Sequence, residues 1–462
     1  MTHIRRGIWI PIGLAVLAVA LVAGVLLASR SRGPEPGGRP NILLIVTDDQ
    51  RATGTLEVMP KTQRWFEQGG VSFPAAFVTT PLCCPSRASI LTGRYAHNHH
   101  ILFRVDPSLG VTWPDSAFQR STIERYLHDA GYRTALFGKY LNGWPPQDDP
   151  QFFDEWAMIR VPRRDTYYGG EVNVNGSIQP MDAYNTTYIQ DRALDFLNRS
   201  ASEAAPWFLY LAVKAPHYPY TPEAKYANAA VPPMRQDPSM READRADKPP
   251  FVRRHRAMPL RAERVRVEQL RTLMSVDNLV DSVLRDLTRL GEDRSTLAIF
   301  TSDNGLLWGE HGLTAEKLLP YTPSVSVPLL LRWPGHVTAG TTDDRLAANI
   351  DIAPTVFQAA GIRPDDATPV DGRSLLSPSD RSRLLLEYGG ANGWTSIRTK
   401  AFQYTEYLDQ DAVTFREYYD LRTDPWELTN LLNDGDPRDD PDVAALSTEL
   451  GRDRRCVGAS CP

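Results

Sequence analysis

Two short runs, Asp48-Asp49 and Asp303-Asn304, offer only oxygen ligands. Three carboxylates and an amide suit a hard divalent cation such as Ca²⁺ or Mg²⁺, not a thiolate- or imidazole-bound zinc. Taken singly, Asp48-Asp49 also reads as a turn or helix cap, and Asp303-Asn304-Gly305 as an ordinary turn. Gly138-Lys139 adds a cation, and Ala215-Pro216-His217 an imidazole that could equally cap or pack. The most informative stretch is Cys83-Cys84-Pro85-Ser86-Arg87-Ala88-Ser89-Ile90-Leu91-Thr92-Gly93-Arg94. Its plainest reading is a pair of small buried hydrophobes before a Pro-started helix, with Arg87 in a salt bridge.

The elements around these runs predict that they meet. Ile42 to Thr47, Thr134 to Phe137, Trp207 to Val213, Leu297 to Thr301 and Val327 to Leu331 are short apolar runs. Such runs fill a sheet buried on both faces. Helical patterns lie between them, the clearest being Leu270, Leu273, Met274, Asp277, Val280, Val283, Leu284, Leu287 and Leu290. Ser121 to Ala130 is a second, with Ser121 as N-cap and Gly131 at the stop. Strands alternating with helices imply an α/β fold with a mainly parallel central sheet. Asp48-Asp49, Lys139, His217 and Asp303-Asn304 each follow one of these strands. The carboxyl ends of parallel strands open on one edge, where ligands bind, so the four stretches predict one site. After about residue 380, Arg383 to Tyr388, Phe402 to Tyr407 and Arg416 to Leu421 predict a small antiparallel-sheet subdomain.

The Cys83 run fits the pattern Cys-x-Pro-Ser-Arg followed by Leu-Thr-Gly-Arg, and here the chain resembles the type I, formylglycine-dependent sulfatases. The resemblance extends from Asn41 to about Leu432. It implies an alkaline-phosphatase-like sandwich and conversion of Cys83 to formylglycine by a formylglycine-generating enzyme, Cys84 being the variable position. It also implies one Ca²⁺ held by Asp48, Asp49, Asp303, Asn304 and the converted Cys83. Arg87 and Lys139 fall on groups that hold the nucleophile and the sulfate. His217 matches an active-site histidine, and Lys317, in Glu316-Lys317, the second lysine. Asp351-Ile352-Ala353-Pro354-Thr355 and Tyr419-Asp420-Leu421-Arg422-Thr423-Asp424-Pro425 look like the family too. In the implied chemistry an aldehyde hydrate at residue 83 attacks sulfur with one hydroxyl while the sugar or aryl oxygen leaves. The second hydroxyl then loses its proton and expels sulfate, restoring the aldehyde. The cation, Arg87, Lys139 and Lys317 would neutralise charge on the sulfate oxygens. His217 would bind sulfate or handle a proton.

Many sulfatases read Gly-Lys-x-His, whereas Gly138-Lys139-Tyr140-Leu141 places Leu141 where that histidine stands. This form resembles the N-acetylglucosamine-6-sulfatase and heparan endosulfatase branch. Cys-Cys-Pro-Ser-Arg, Thr79-Thr80-Pro81, His97-Asn98-His99 and Thr272-Leu273-Met274-Ser275-Val276-Asp277 resemble that branch as well. The resemblance implies a sulfated carbohydrate substrate, 6-O-sulfated N-acetylglucosamine in particular, or else an aryl sulfate ester. Two alternatives stand beside it. One is a phosphonate or phosphate ester hydrolase using the same modified Cys; the other is a non-catalytic, membrane-tethered binder of sulfated polysaccharide.

Composition fits a folded protein: 462 residues, 42% hydrophobic and 23% charged, which excludes a largely disordered, collagen-like or multi-span chain. Gly7 to Ser29 carries no charge and follows Arg5-Arg6. As a helix it would run roughly 35 Å, enough to cross a bilayer. The expected organisation is a membrane anchor or signal segment over 1–30, a linker over 31–40, a catalytic domain over 41–380, and a C-terminal subdomain and tail over 381–462. The body is therefore expected outside the cytoplasm, anchored or secreted. Net charge is −5 for the whole chain but −9 once residues 1–39 are set aside, which argues against a nucleic-acid partner. From Arg235 to Arg271 there are 11 Lys/Arg against six Asp/Glu. That strip reads as a solvated loop leading into a helix, with polyanion docking as the alternative. Cys456 and Cys461 are spaced for a small disulfide loop in an oxidising compartment. His311 reads as a turn residue or a pocket-lining one. Asn185-Thr186-Thr187 and Asn198-Arg199-Ser200 match the N-glycosylation sequon.

Overall fold

Ile42 to Thr47 are all buried, as a strand covered on both faces must be. In the computed structural model, which describes residues 38–102, 116–145, 148–159, 167–389, 393–410 and 412–462, this run is β1 (Asn41–Thr47). The other strands of its sheet are β2 (Val71–Ser72), β3 (Arg133–Gly138), β4 (Glu155–Ile159), β5 (Glu171–Val174), β6 (Ser177–Pro180), β7 (Trp207–Ala212), β8 (Thr296–Ser302), β9 (Leu329–Arg332) and β10 (Thr341–Thr342). They lie in the order β10-β2-β9-β8-β1-β7-β3-β4-β5-β6. The middle five, β8-β1-β7-β3-β4, are mutually parallel. β9 and β5 turn antiparallel at either side. The sheet is thus mainly parallel, and β1, β3, β7 and β8 end on the same edge. Thr47 pairs with Ser302, and Val46 and Gly138 both pair with Ala212, so those ends are level.

Alternation along β1 sets the two layers. Ile42, Leu44 and Val46 face a core shared with the helices α1 (Cys83–Thr92), α2 (Ile123–Asp129) and, later in the chain, Ile352–Ala360. Leu43 and Ile45 face the opposite core, covered by α3 (Asn185–Ser200) and α4 (Pro259–Leu290). Helix Ile352–Ala360 is α5. The sandwich is therefore helix, sheet, helix. Helix α2 starts one residue later than expected: its N-cap is Thr122, not Ser121. The Ser121 hydroxyl is taken by the preceding turn, donating to Phe118 O at 2.8 Å. Gly131 stops the helix as expected, with φ +84°. Helix α4 begins well ahead of the apolar stripe at Leu270. Its early turns bury Ala262, Val265, Arg266 and Gln269, a facing row too polar to read as core.

The expected C-terminal segments form an antiparallel meander of β11 (Leu384–Tyr388), β12 (Trp394–Arg398), β13 (Phe402–Asp409) and β14 (Ala412–Asp420). β12 was not foreseen; Gly389 and Gly390 close before it hide a five-residue strand. Helix α6 (Val443–Asp453) and a Cys456–Cys461 disulfide follow. This sheet packs through its own core, in which Trp394, Ile397, Tyr404 and the disulfide cysteines meet Tyr95 and Ile350 of the larger domain. Residues 40–462 form one compact unit. The expected membrane-crossing stretch Gly7 to Ser29, and most of the linker after it, lie outside the described residues. Among the described residues no helix is long and apolar enough to cross a membrane.

Asp351, in the Asp-Ile-Ala-Pro-Thr run, bolts the two sheets together. Its carboxylate accepts from Ala348 N at 2.8 Å, Arg373 N at 2.7 Å and Arg381 Nη2 at 2.8 Å. The Asp351 and Arg381 side chains are 2% and 1% exposed. Arg381→Ala would leave a buried carboxylate without its counter-charge, at a cost of about 3–5 kcal/mol, read as a lowered urea midpoint. Glu124 is fully buried in α2, and the Tyr140 hydroxyl donates to it at 3.0 Å. Burial pushes its carboxyl up to about 7 from 4.5. Folding therefore takes up a proton between those values. The group's contribution to stability is whole below pH 4.5 and is lost as pH rises through 7. Glu124→Gln is expected to flatten stability against pH across that window.

Candidate active site

Backbone bonds stitch the strand ends into one rim. Asp48 N donates to Ala215 O at 3.1 Å, Asp303 N to Thr47 O at 3.0 Å, and Lys139 N to Ala212 O at 2.7 Å. Only glycine fits before Lys139: Gly138 has φ +116°, and a Cβ there would come 2.0 Å from Ala212 O. Asp49 also sits in the left-handed region, φ 70°, which Asp tolerates better than most residues. Its amide donates to Asp303 Oδ1 at 3.2 Å. Cys83 is the first residue of α1, so the positive end of that helix faces the rim. Gly93 at φ +68° ends the helix.

The side chains interlock in a dry pocket. Lys317 Nζ donates to Cys83 Sγ at 3.0 Å and also pairs with Asp49. Lys139 pairs with Asp48, and Cys83 Sγ lies 3.4 Å from Asp48 Oδ1. Arg87 is wholly buried; its Nε donates to Asp303 Oδ2 at 2.8 Å, its Nη1 to Lys139 O at 2.9 Å, and its Nη2 lies 3.5 Å from Asp48 Oδ2. Asn304 Nδ2 donates to Asp49 Oδ1 at 2.6 Å. His217 places Nε2 3.9 Å from Asp49 Oδ2, while its Nδ1 lies 2.8 Å from Tyr218 O. All nine residues singled out from the sequence therefore converge.

Charge decides the protonation states. Burial would raise the Asp48 carboxyl, but Lys139, His217, Arg87 and Lys317 outweigh it and hold it well below the ordinary range. Burial likewise opposes the Lys139 and Lys317 charges, yet Asp48 and Asp49 respectively raise both. Burial, then Asp48, pushes the Cys83 thiol up to about 12, so it stays protonated at neutral pH. Burial and the Asp48 charge also push Asp303 up. Asp303 thus bears the repulsion of Asp48 and Asp49 in a buried pocket, which a dication would relieve.

The donor set fits a hard cation. Asp48, Asp49, Cys83 and His217 each bring a ligand atom within 4.8 Å of the others. Asn304 Oδ1 is buried and accepts no hydrogen bond among the described residues. Its Nδ2 donates to Asp49 Oδ1 and, at 2.9 Å, to Gly305 O, which leaves Oδ1 as the free acceptor of the amide. The oxygens of Asp48, Asp49, Asp303 and Asn304 are of the hard-donor type that Ca²⁺ prefers.

Other motif residues prove to be scaffolding. Ser86 is held by Asn349 Nδ2 at 2.9 Å, and Asn349 Oδ1 accepts from Thr79 N at 3.0 Å. His97 pairs with Glu387, Asn98 Nδ2 donates to Asp371 at 2.8 Å, and His99 meets Ser89 at 3.1 Å. Asp277 caps the short helix at Pro60–Thr62, accepting from Thr62 N at 2.7 Å. His311 is buried on Tyr321, with Nδ1 2.8 Å from Glu242, which favours its turn role. Leu141 is buried in the α1-side core. Two contributors escaped the sequence reading. Gln269 on α4 reaches Pro216 O at 3.2 Å and Asp49 O at 3.5 Å, and Tyr210 meets Arg87 at 3.5 Å. Nothing in the apolar stripe of α4 marks Gln269, which is buried for its bonds to these carbonyls.

Residues 40–362 match the Sulfatase family, and residues 309–454 match the C-terminal region of N-sulphoglucosamine sulphohydrolase. A putative extracellular sulfatase Sulf-1 homolog from Caenorhabditis elegans is 34% identical over 73% of the chain. That match spans 48% of the relative, so the chain corresponds to about half its length. Human N-acetylglucosamine-6-sulfatase is 30% identical over 92% of the chain and 86% of its own length. Among solved structures, a protein in complex with its substrate D-glucosamine-2-N,6-O-disulfate superposes with TM-score 0.75 and 22% identity, over 90% of this chain and 96% of that one. That likeness bears out the expected alkaline-phosphatase-like sandwich.

Calcium is expected to raise the melting temperature reversibly, with EGTA undoing the rise. At a hundredfold excess over Kd the stabilisation is about 2.7 kcal/mol. Asp49→Asn and Asn304→Ala should abolish most of the shift in differential scanning calorimetry. An unchanged melting temperature with Ca²⁺ would remove the cation from this site.

Proposed function

Because the chain belongs to the sulfatase family, we propose that it hydrolyses sulfuric esters, using Cys83 converted to formylglycine and one Ca²⁺ held by Asp48, Asp49, Asp303, Asn304 and residue 83. The observation that carries this reading is the cage itself: Cys83, at the start of α1, lies between Asp48 and Lys317 with Lys139 and Arg87 behind. When bound, the cation supplies Lewis-acid charge, and the converted side chain supplies a hydroxyl nucleophile.

The chain's own residues account for the rest. Lys317 Nζ, 3.0 Å from Cys83 Sγ, is placed to donate to the atom that replaces sulfur and to a sulfate oxygen. Lys139 and Arg87 fix the Asp48 carboxylate and add positive charge where the transferring group becomes more anionic. His217 has Nδ1 engaged by the Tyr218 carbonyl, which assigns the proton to Nδ1 and leaves Nε2 facing the site. Nε2 can then hold a proton for the leaving oxygen. With Leu141 where many relatives carry histidine, a second imidazole beside Lys139 has no part.

The substrate is read as a 6-O-sulfated amino sugar. The human relative's name, the disulfated glucosamine held by the structural neighbour and the Leu141 form support this. Placement outside the cytoplasm is supported by the Cys456–Cys461 disulfide and the extracellular relative, with Gly7 to Ser29 read as a membrane anchor or a signal segment. A formylglycine-generating enzyme is the maturation partner.

Protein made alongside such an enzyme should show, in the peptide containing Cys83, the mass of an aldehyde in place of the thiol. It should release sulfate from 6-O-sulfated N-acetylglucosamine, and Cys83→Ala should lower kcat/KM by more than about 10³-fold. Faster turnover of a phosphonate monoester than of any sulfate ester would overturn the assignment.

A further inference from the structure

The basic strip of residues 235–271 divides in the structure. Arg245 donates to His311 O at 2.6 Å, Arg271 to Ala229 O at 3.0 Å, and Lys248 forms ion pairs with Glu242 and Asp247. Arg266 is buried and pairs with Glu263. These cations hold the fold together. Arg261 and Arg264 differ. Both are exposed on the first turns of α4, and among the described residues neither makes a hydrogen bond or ion pair. They stand three residues apart, with Val265 and Glu268 continuing the same helix face.

That face forms one wall of a cleft of about 470 Å³, whose other walls are Tyr218, Pro219, Tyr220 and Ala315. The cleft adjoins the cage on two chain segments. Tyr218 directly follows His217, and Ala315 precedes Lys317 by two residues. Gln269, one residue past Glu268, is bonded to the carbonyls of Pro216 and Asp49, so the helix wall is fixed to the catalytic rim. Arg261 lies eight residues before Gln269, roughly 12 Å along the axis. Tyr218 is 61% exposed, its ring set edge-on to buried Tyr220 with centroids 5.6 Å apart. The cleft therefore presents an aromatic face and two guanidinium groups that make no hydrogen bond among the described residues, Arg264 lying within electrostatic reach of Glu268 and Arg261 of Tyr220.

We infer that Tyr218, Arg261 and Arg264 form a second subsite, which binds a further anionic group on a sugar neighbouring the one that loses sulfate. The inference rests on the sulfatase reading and extends it to a polyanionic oligosaccharide. Tyr218 offers a stacking face for a sugar ring. The guanidinium forks match sulfate or carboxylate oxygens. Glu268, between the arginines and the rim, accepts sugar hydroxyls and rejects an anion placed too close to the helix.

The test compares a heparin-derived tetrasaccharide with N-acetylglucosamine 6-sulfate. For the double variant Arg261→Gln/Arg264→Gln, the ratio of kcat/KM on the tetrasaccharide to that on the monosaccharide should fall about tenfold. Added NaCl should reduce that ratio in the wild type and much less in the variant. In a Cys83→Ala background, which needs no turnover, calorimetric Kd for the tetrasaccharide should weaken by a similar factor. An unmoved ratio with an unmoved Kd, or equal losses on both substrates, would overturn the subsite. Loss of tetrasaccharide affinity in a converted protein that hydrolyses neither sulfate ester would retain the subsite and reject the sulfatase reading instead.

Discussion

Three carboxylates and three cations held out of water at one sheet edge are the constraint on which the molecule turns. Asp48, Asp49 and Asp303 would repel one another unless Lys139, Lys317 and Arg87 stood among them. Each removal would leave a buried charge without its opposite. The cage therefore demands that four loops and one helix start arrive in register, and the surrounding architecture meets that demand. Parallel strands bring their carboxyl ends level. Gly138 lets β3 approach β7 at backbone contact, and α1 presents its first residue to the middle of the cluster.

Much of this was legible because buried parallel strands write themselves as short apolar runs, and chemistry sits just past their ends. Ile42 to Thr47 followed by Asp48-Asp49 is the clearest instance, and Leu297 to Thr301 before Asp303-Asn304 repeats it. The structure departs where side chains have competing partners. Ser121 looks like a cap, but its hydroxyl closes the previous turn. The start of α4 was hidden because Arg266 and Gln269 occupy buried positions that an apolar pattern cannot reveal. Gln269 is buried for its bonds to loop carbonyls, a reason invisible without knowing which loop lies opposite.

Several motif residues that stand beside the reactive run in sequence turn out to be fasteners. Asn349 ties Ser86 to Thr79, Asp277 caps a helix on the far side of the sheet, and the His97-Asn98-His99 run secures the turn after α1 to the C-terminal sheet and tail. Asn349 and the His97-Asn98-His99 run fix helix α1 from both ends. Cys83 is thereby held within a hydrogen bond of Asp48 and Lys317. The small C-terminal sheet serves the same end, for Asp351 and Arg381 lock the start of α5 to the approach to β11.

The depth of Cys83 sets a timetable. Its side chain is 2% exposed, enclosed by strand ends that arrive late: Ser302 pairs with Thr47 across 255 positions of chain, and Lys317 follows later still. In the finished protein no second enzyme could grip a peptide around that thiol. If Cys83 is remodelled covalently as proposed, the change belongs to the unfolded chain, before β8 closes against β1. Modification would then compete with closure, and a pairing made across so much chain would favour the modifying step by forming late.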